Sequence, residues 1–130
     1  EALAKADEVL AQFELERLRA TPCQELGLAF LKRVEIARAA ATEPSLLLLD
    51  EAGAGLNATE LAELMRMLKT LREEKQVTLC IVEHVMKMVM GLCERIIVLD
   101  YGELIAEGNP EEIGRHPKVV EAYLGRRAWR

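Results

Sequence analysis

The run Leu46-Leu47-Leu48-Leu49, closed by Asp50-Glu51, is the segment that most restricts what this chain can fold into. Four successive leucines show no polar–apolar alternation, so the segment reads as covered on both faces. Periodicity alone does not separate a buried strand from a buried helical turn, and leucine is no strong strand former. The shortness of the run and its flanking Pro44 and Gly53 favour a strand. A strand covered on both faces belongs in a parallel sheet with helices on either side.

The rest of the chain can be set around that strand. Residues 2–20 have helical spacing, with Leu3, Val9, Leu10, Phe13 and Leu18 near one face, and Thr21-Pro22 breaks the pattern. A helix-favouring composition spans residues 27–42, and Pro44 ends it. After the leucine strand, Leu61, Leu64, Leu68 and Leu71 form the inward stripe of a helix over 59–73. Val77 to Val82 reads as a second buried strand, 85–92 as a short helix and Arg95 to Leu99 as a third strand. Tyr101-Gly102 turns the chain into a fourth strand, Glu103 to Ala106, and helices at 110–115 and 117–124 follow. Strand–helix–strand alternation predicts an α/β fold with a mostly parallel sheet and flanking helices, the hairpin adding antiparallel character at one edge.

Composition removes several functions. The 130 residues are 51% hydrophobic and 30% charged, an ordinary globular balance. A net charge of -5 argues against non-specific nucleic-acid binding, which needs clustered Lys and Arg. The basic cluster Arg126, Arg127 and Arg130, with Trp129, reads as a solvated tail. Cys23, Cys80 and Cys93 are an odd count without close pairs, which points to a reducing compartment rather than a disulfide framework. Cys80, inside an apolar run, is expected to be a small buried hydrophobe. Met65, Met67, Met86, Met88 and Met90 read as packing residues, and His116 is assigned no role. Apolar stretches fall far short of the roughly 20 residues that cross a bilayer. No signal peptide is visible, and the chain opens on Glu rather than Met, consistent with a start upstream.

In open α/β sheets ligands bind beyond the carboxyl ends of the strands. One strand ends in Asp50-Glu51 and the next in Glu83-His84. If the two are neighbours, Asp50, Glu51 and His84 converge at one rim. One carboxylate can hold hydrated Mg²⁺, a second can orient or deprotonate a water, and a histidine can donate to a phosphate oxygen. An acid after a strand is also often only a loop start or a helix cap.

The order of these segments resembles the ABC-transporter ATPase core. Lys32-Arg33-Val34-Glu35-Ile36-Ala37-Arg38-Ala39, then Leu46 through Asn57, then Ile81-Val82-Glu83-His84 are similar to its post-signature helix, Walker B strand with D-loop, and switch-histidine strand. Val89 to Glu103, Ile105 to Glu112 and Val120 to Gly125 resemble the branched-chain amino acid importer subfamily. The likeness covers residues 24 to 125, about the C-terminal half of a P-loop NTPase ABC domain with part of its helical subdomain. It implies a remnant of that subdomain with the signature helix over 1–43. A Walker B, D-loop and switch-histidine core would cover 44–108, with C-terminal helices and tail over 109–130.

The resemblance also implies roles. Asp50 would help hold Mg²⁺ through water, Glu51 would be the general base and His84 would sense the γ-phosphate of ATP. Gly27, Leu28 and Ala29, within the signature segment 26–30, would grip ATP bound to a second ATPase subunit, in a homo- or heterodimer. Gly55, Leu56 and Asn57 would form the D-loop facing that subunit. The implied partners are that subunit and transmembrane permease subunits, with no nucleic acid. The implied location is cytoplasmic, peripheral on the inner membrane.

The sequence departs from this pattern. No G-x-x-x-x-G-K-[ST] occurs in the 130 residues, so the backbone and lysine that cradle phosphates are missing from them, as is the family's glutamine loop. The chain is expected to be a fragment whose parent is an ATPase; the alternative is a non-catalytic half-domain acting as an interaction or regulatory module. The signature segment reads Leu26-Gly27-Leu28-Ala29-Phe30 where Leu-Ser-Gly-Gly-Gln is usual. Ala52 and Ala58 stand where prolines are common and Val85 where aspartate is common, which is expected to loosen the loops around Glu51 and His84. The missing phosphate loop predicts that the 130-residue chain alone does not bind Mg-ATP; micromolar binding in isothermal calorimetry would overturn this.

Overall fold

The computed structural model describes residues 2–124, so the tail residues Arg126, Arg127, Trp129 and Arg130 lie outside it. Its chain divides into two compact units between Val85 and Met86.

The first unit begins with α1 (Ala2–Gln12), followed by α2 (Leu28–Ala40), β1 (Leu46–Asp50), α3 (Ala58–Lys75) and β2 (Thr78–Val82). The α1 helix stops well short of the expected residue 20. Glu14 leaves the helical region with φ 56, which lets Phe13 and Leu15 both reach the core, at 0% and 1% exposure. Residues 16–18 then make a single 3-10 turn. The displaced Glu14 carboxylate meets Arg66 at 2.5 Å and Arg33 at 3.8 Å. Arg33 is buried, also pairs with Glu63, and lies 5.1 Å over the Phe30 ring. A buried guanidinium stripped of those partners is strongly destabilising, so this pairing outweighs the helical periodicity of residues 13–20. On the surface, Lys75 and then Lys5 hold the Glu8 carboxyl below its usual range, while Glu43 raises Lys5. Exposed pairs of this kind contribute little to stability.

The α3 helix is the centre of this unit. Its expected stripe Leu61, Leu64, Leu68 and Leu71 is buried, and Met67 joins it. Asn57 opens the helix with a capping box, its side chain accepting from Thr59 and Glu60 N–H while Glu60 accepts from Asn57 N–H. Gln76 closes it in the left-handed conformation.

Strands β1 and β2 pair in parallel, from Leu46 opposite Thr78 to Asp50 opposite Val82. The two strand ends are therefore level. The leucine run is not covered on both faces as its composition suggested. Leu47 and Leu49 are buried, but Leu46 and Leu48 are 51% and 69% exposed. Cys80, expected to be buried, is exposed on β2 with Thr78 and Val82. The physical reason is the two-residue period of a strand, which sends these side chains to the face opposite Leu47 and Leu49.

The second unit contains α4 (Met86–Leu92), β3 (Ile96–Asp100), β4 (Glu103–Gly108), α5 (Pro110–Arg115) and α6 (Pro117–Val119), which runs into a π-helical turn at Val120–Leu124. Tyr101 and Gly102 both have positive φ, the combination that a two-residue hairpin turn requires. Among the described residues β3 hydrogen-bonds only with β4, antiparallel, with a register shift after Val98. Val89, Ile96, Val98, Ala106, Ile113 and Val119 form the core of this unit. Asn109 and Glu112 make a second capping box, with Pro110 at the first helical position. Among the described residues no helix is long and apolar enough to cross a membrane.

Leu46, Leu48 and Val82 are exposed apolar side chains on one face of a short sheet. The 130-residue chain is expected to self-associate in sedimentation velocity, and Leu48→Glu to weaken that association. A stable monomer at high concentration would contradict it.

Candidate functional site

The level ends of β1 and β2 place the anticipated cluster. The Glu51 N–H donates to the Val82 carbonyl at 2.9 Å, one step beyond the last ladder pair. Glu51 then adopts φ 50, and the chain turns through the buried residues Ala52 and Gly53. A non-glycine residue in this region carries a strain of about 1–2 kcal/mol. His84 follows the end of β2. Its Nδ1 lies 3.6 Å from Glu51 Oε1, and both side chains are 61% exposed. Asp50 ends β1 on the exposed face. Asp50, Glu51 and His84 thus gather at one strand-end rim, as their spacing implied.

Among the described residues no three His, Cys, Asp or Glu side chains group closely enough to cage a metal. Magnesium seldom needs such a cage. It is commonly held by one or two carboxylates, waters and substrate phosphates, and the exposed Asp50 carboxylate fits that donor set.

The other anticipated residues lie at two helix starts. Gly27 is the N-cap of α2 without any side-chain cap bond, and Leu28 and Ala29 are its first helical residues. The thirteen-residue helix presents its free N–H groups and dipole at this end. Gly55 has φ 79, and a Cβ on it would lie 2.8 Å from Leu28 Cδ2. Gly55 is therefore seated against Leu28 at the start of α2. Leu56 is half-buried, and the Asn57 side chain is committed to capping α3, accepting at 3.0 Å from both Thr59 and Glu60 N–H.

Two residues of this region were not singled out from sequence. Glu83 accepts from Gly53 N–H at 2.5 Å through one oxygen and from His84 and Val85 N–H at 3.1 and 3.3 Å through the other. Its position just before His84 was the available signal. Lys32 donates to the Glu51 carbonyl at 2.9 Å from 19 positions away, and nothing in the sequence marks it.

Residues 1–54 match the ABC transporter family, and residues 103–128 match the branched-chain amino acid ATP-binding cassette transporter family. The chain is 41% identical over 125 residues to the high-affinity branched-chain amino acid transport ATP-binding protein LivG of Salmonella typhimurium, covering 96% of this chain and 49% of that protein. It is 36% identical over 121 residues to the lipopolysaccharide export system ATP-binding protein LptB of Escherichia coli, covering 93% and 50%. In structure it resembles the ADP conformation of MJ1267, an ATP-binding cassette of an ABC transporter. The TM-score is 0.86 at 30% identity, over 96% of this chain and 50% of that one. The chain spans about half the length of the curated relatives it matches.

The seating of Gly55 on Leu28 gives a test of the loop. Gly55→Ala meets both an unfavourable φ and the leucine methyl, and is expected to destabilise the chain by about 1–2 kcal/mol. Adding Leu28→Ala should recover only the steric part. Denaturation midpoints equal to the parent's would refute the close seating.

Proposed function

Because this chain belongs to the ABC-transporter ATP-binding family, we propose that it supplies the water-activating and γ-phosphate-sensing part of an ATPase site in an importer of branched-chain amino acids. The observation that carries the proposal is the 3.6 Å approach of Glu51 and His84 beyond two level, parallel strands. The phosphate-cradling loop would come from residues of the parent protein other than these 130.

In this reading Glu51 accepts a proton from water as its oxygen bonds to the γ-phosphorus of ATP and the bond to the ADP oxygen breaks. Exposure suits the task, because the Glu51 carboxylate is open to water beside His84. His84 donates a hydrogen bond to a γ-phosphate oxygen, so presence or loss of that phosphate is felt at the end of β2. Asp50 would hold hydrated Mg²⁺, which when bound would supply neutralisation of charge on the phosphates. The start of α2 at Gly27, Leu28 and Ala29 faces ATP held by a second ATPase subunit, and Gly55, Leu56 and Asn57 form the loop beside it. The methyl of Ala29 narrows the backbone approach that a glycine would leave open, so this grip rests on the helix N–H groups.

The partners follow from the same reading: a second ATPase subunit and membrane permease subunits, with this chain on the cytoplasmic face of the inner membrane. The choice of branched-chain amino acids over another solute rests on the match of residues 103–128 and the higher identity to LivG than to LptB.

The test is turnover by the complete ATPase. Glu51→Gln keeps size and removes the base, and is expected to lower the rate by about 10²–10⁴-fold while ATP still binds. Unchanged turnover would remove Glu51 from the role of base.

A further inference from the structure

We propose that Lys32 and Glu83 are positioning residues that hold Glu51 in its left-handed conformation from two sides, and so set its distance to His84. The exposed Glu51 and His84 side chains have little packing to hold them, so their separation is governed by the backbone beneath. That backbone is anchored at three points. The Glu51 N–H is held by the Val82 carbonyl, which is the sheet itself. The Glu51 carbonyl accepts from the Ala54 N–H at 3.2 Å within the turn and from the Lys32 ammonium, which ties the turn to α2. The Gly53 N–H is held by Glu83, whose second oxygen also takes the His84 and Val85 N–H groups.

The chemistry of each anchor fits its place. A left-handed residue directs its carbonyl away from the strand ladder, and a long flexible cation on a neighbouring helix can follow it there. Gly53 is buried, so its N–H needs a partner, and a carboxylate is the strongest acceptor available. One Glu83 carboxylate serves the turn after β1 with one oxygen and the turn after β2 with the other. It therefore couples the two loops that carry Glu51 and His84. Ala52 stands in this turn where proline is common in the family it resembles, so φ at that position is not fixed by a ring. The side-chain anchors take up that constraint. Both act through the backbone groups they hold.

The consequence for catalysis rests on the proposed ATPase reading, but the brace does not, so two readouts are needed. The first is hydrogen–deuterium exchange of the 130-residue chain, followed in peptides covering residues 50–54 and in peptides of α3. Lys32→Met and Glu83→Ala are expected to speed exchange at 50–54 about fivefold to tenfold, with α3 unchanged. Lys32→Arg should restore protection, and Glu83→Gln should restore only part of it, because an amide has one acceptor oxygen where three N–H groups are served. The second readout is turnover by the complete ATPase. Lys32→Met and Glu83→Ala are expected to lower kcat about tenfold to a hundredfold with little change in KM, and Lys32→Arg to recover most of it. Unchanged exchange at 50–54 in both Lys32→Met and Glu83→Ala overturns the brace, as does a Lys32→Arg variant no better protected than Lys32→Met. If exchange behaves as expected while Glu51→Gln leaves turnover unchanged, the brace stands and the ATPase reading falls.

Discussion

The parallel pairing of β1 with β2 is the constraint on which the rest of the first unit depends. Because Asp50 sits opposite Val82, the two strands end level, and the residues after them emerge at one rim. A one-residue slip in that register would turn the Leu47 and Leu49 side chains out of the core. Their burial, and that of the α3 stripe, therefore fixes which acid and which histidine meet. The chemistry proposed for Glu51 and His84 is in this sense a consequence of how leucines pack.

Much of this was legible in sequence because it is local. The leucine run, the stripe on α3, the Tyr101-Gly102 turn and the strand ends at Asp50 and His84 all follow from short-range patterns. What was not legible came from distant partners. The α1 helix ends early because Glu14 turns away to meet Arg33 and Arg66, a bargain made across more than fifty positions in the case of Arg66. The exposed face of β1 could not be read from four identical leucines, since composition does not say what covers a strand. Cys80 was assigned to the core for the same reason, and lies on that open face.

The candidate site shows the same division. Asp50, Glu51 and His84 could be found because polar residues ending apolar strands carry a positional meaning. Lys32 and Glu83 could not, because a helix lysine and a strand-end glutamate look like solvated charge until the backbone they hold is seen. Backbone strain at Glu51 is the link between the two sets. The turn that presents the carboxylate is unfavourable by itself, and its neighbours offset that cost with hydrogen bonds.

Glu51 and His84 are proposed to act as one unit at the joined ends of two strands. A double-mutant cycle on the complete ATPase, with Glu51→Gln and His84→Ala measured singly and together by single-turnover ATP hydrolysis, tests it most directly. Strong non-additivity is expected, the double variant being little slower than Glu51→Gln alone. Simple multiplication of the two single effects would contradict it, because the two residues would then contribute independently despite their 3.6 Å approach.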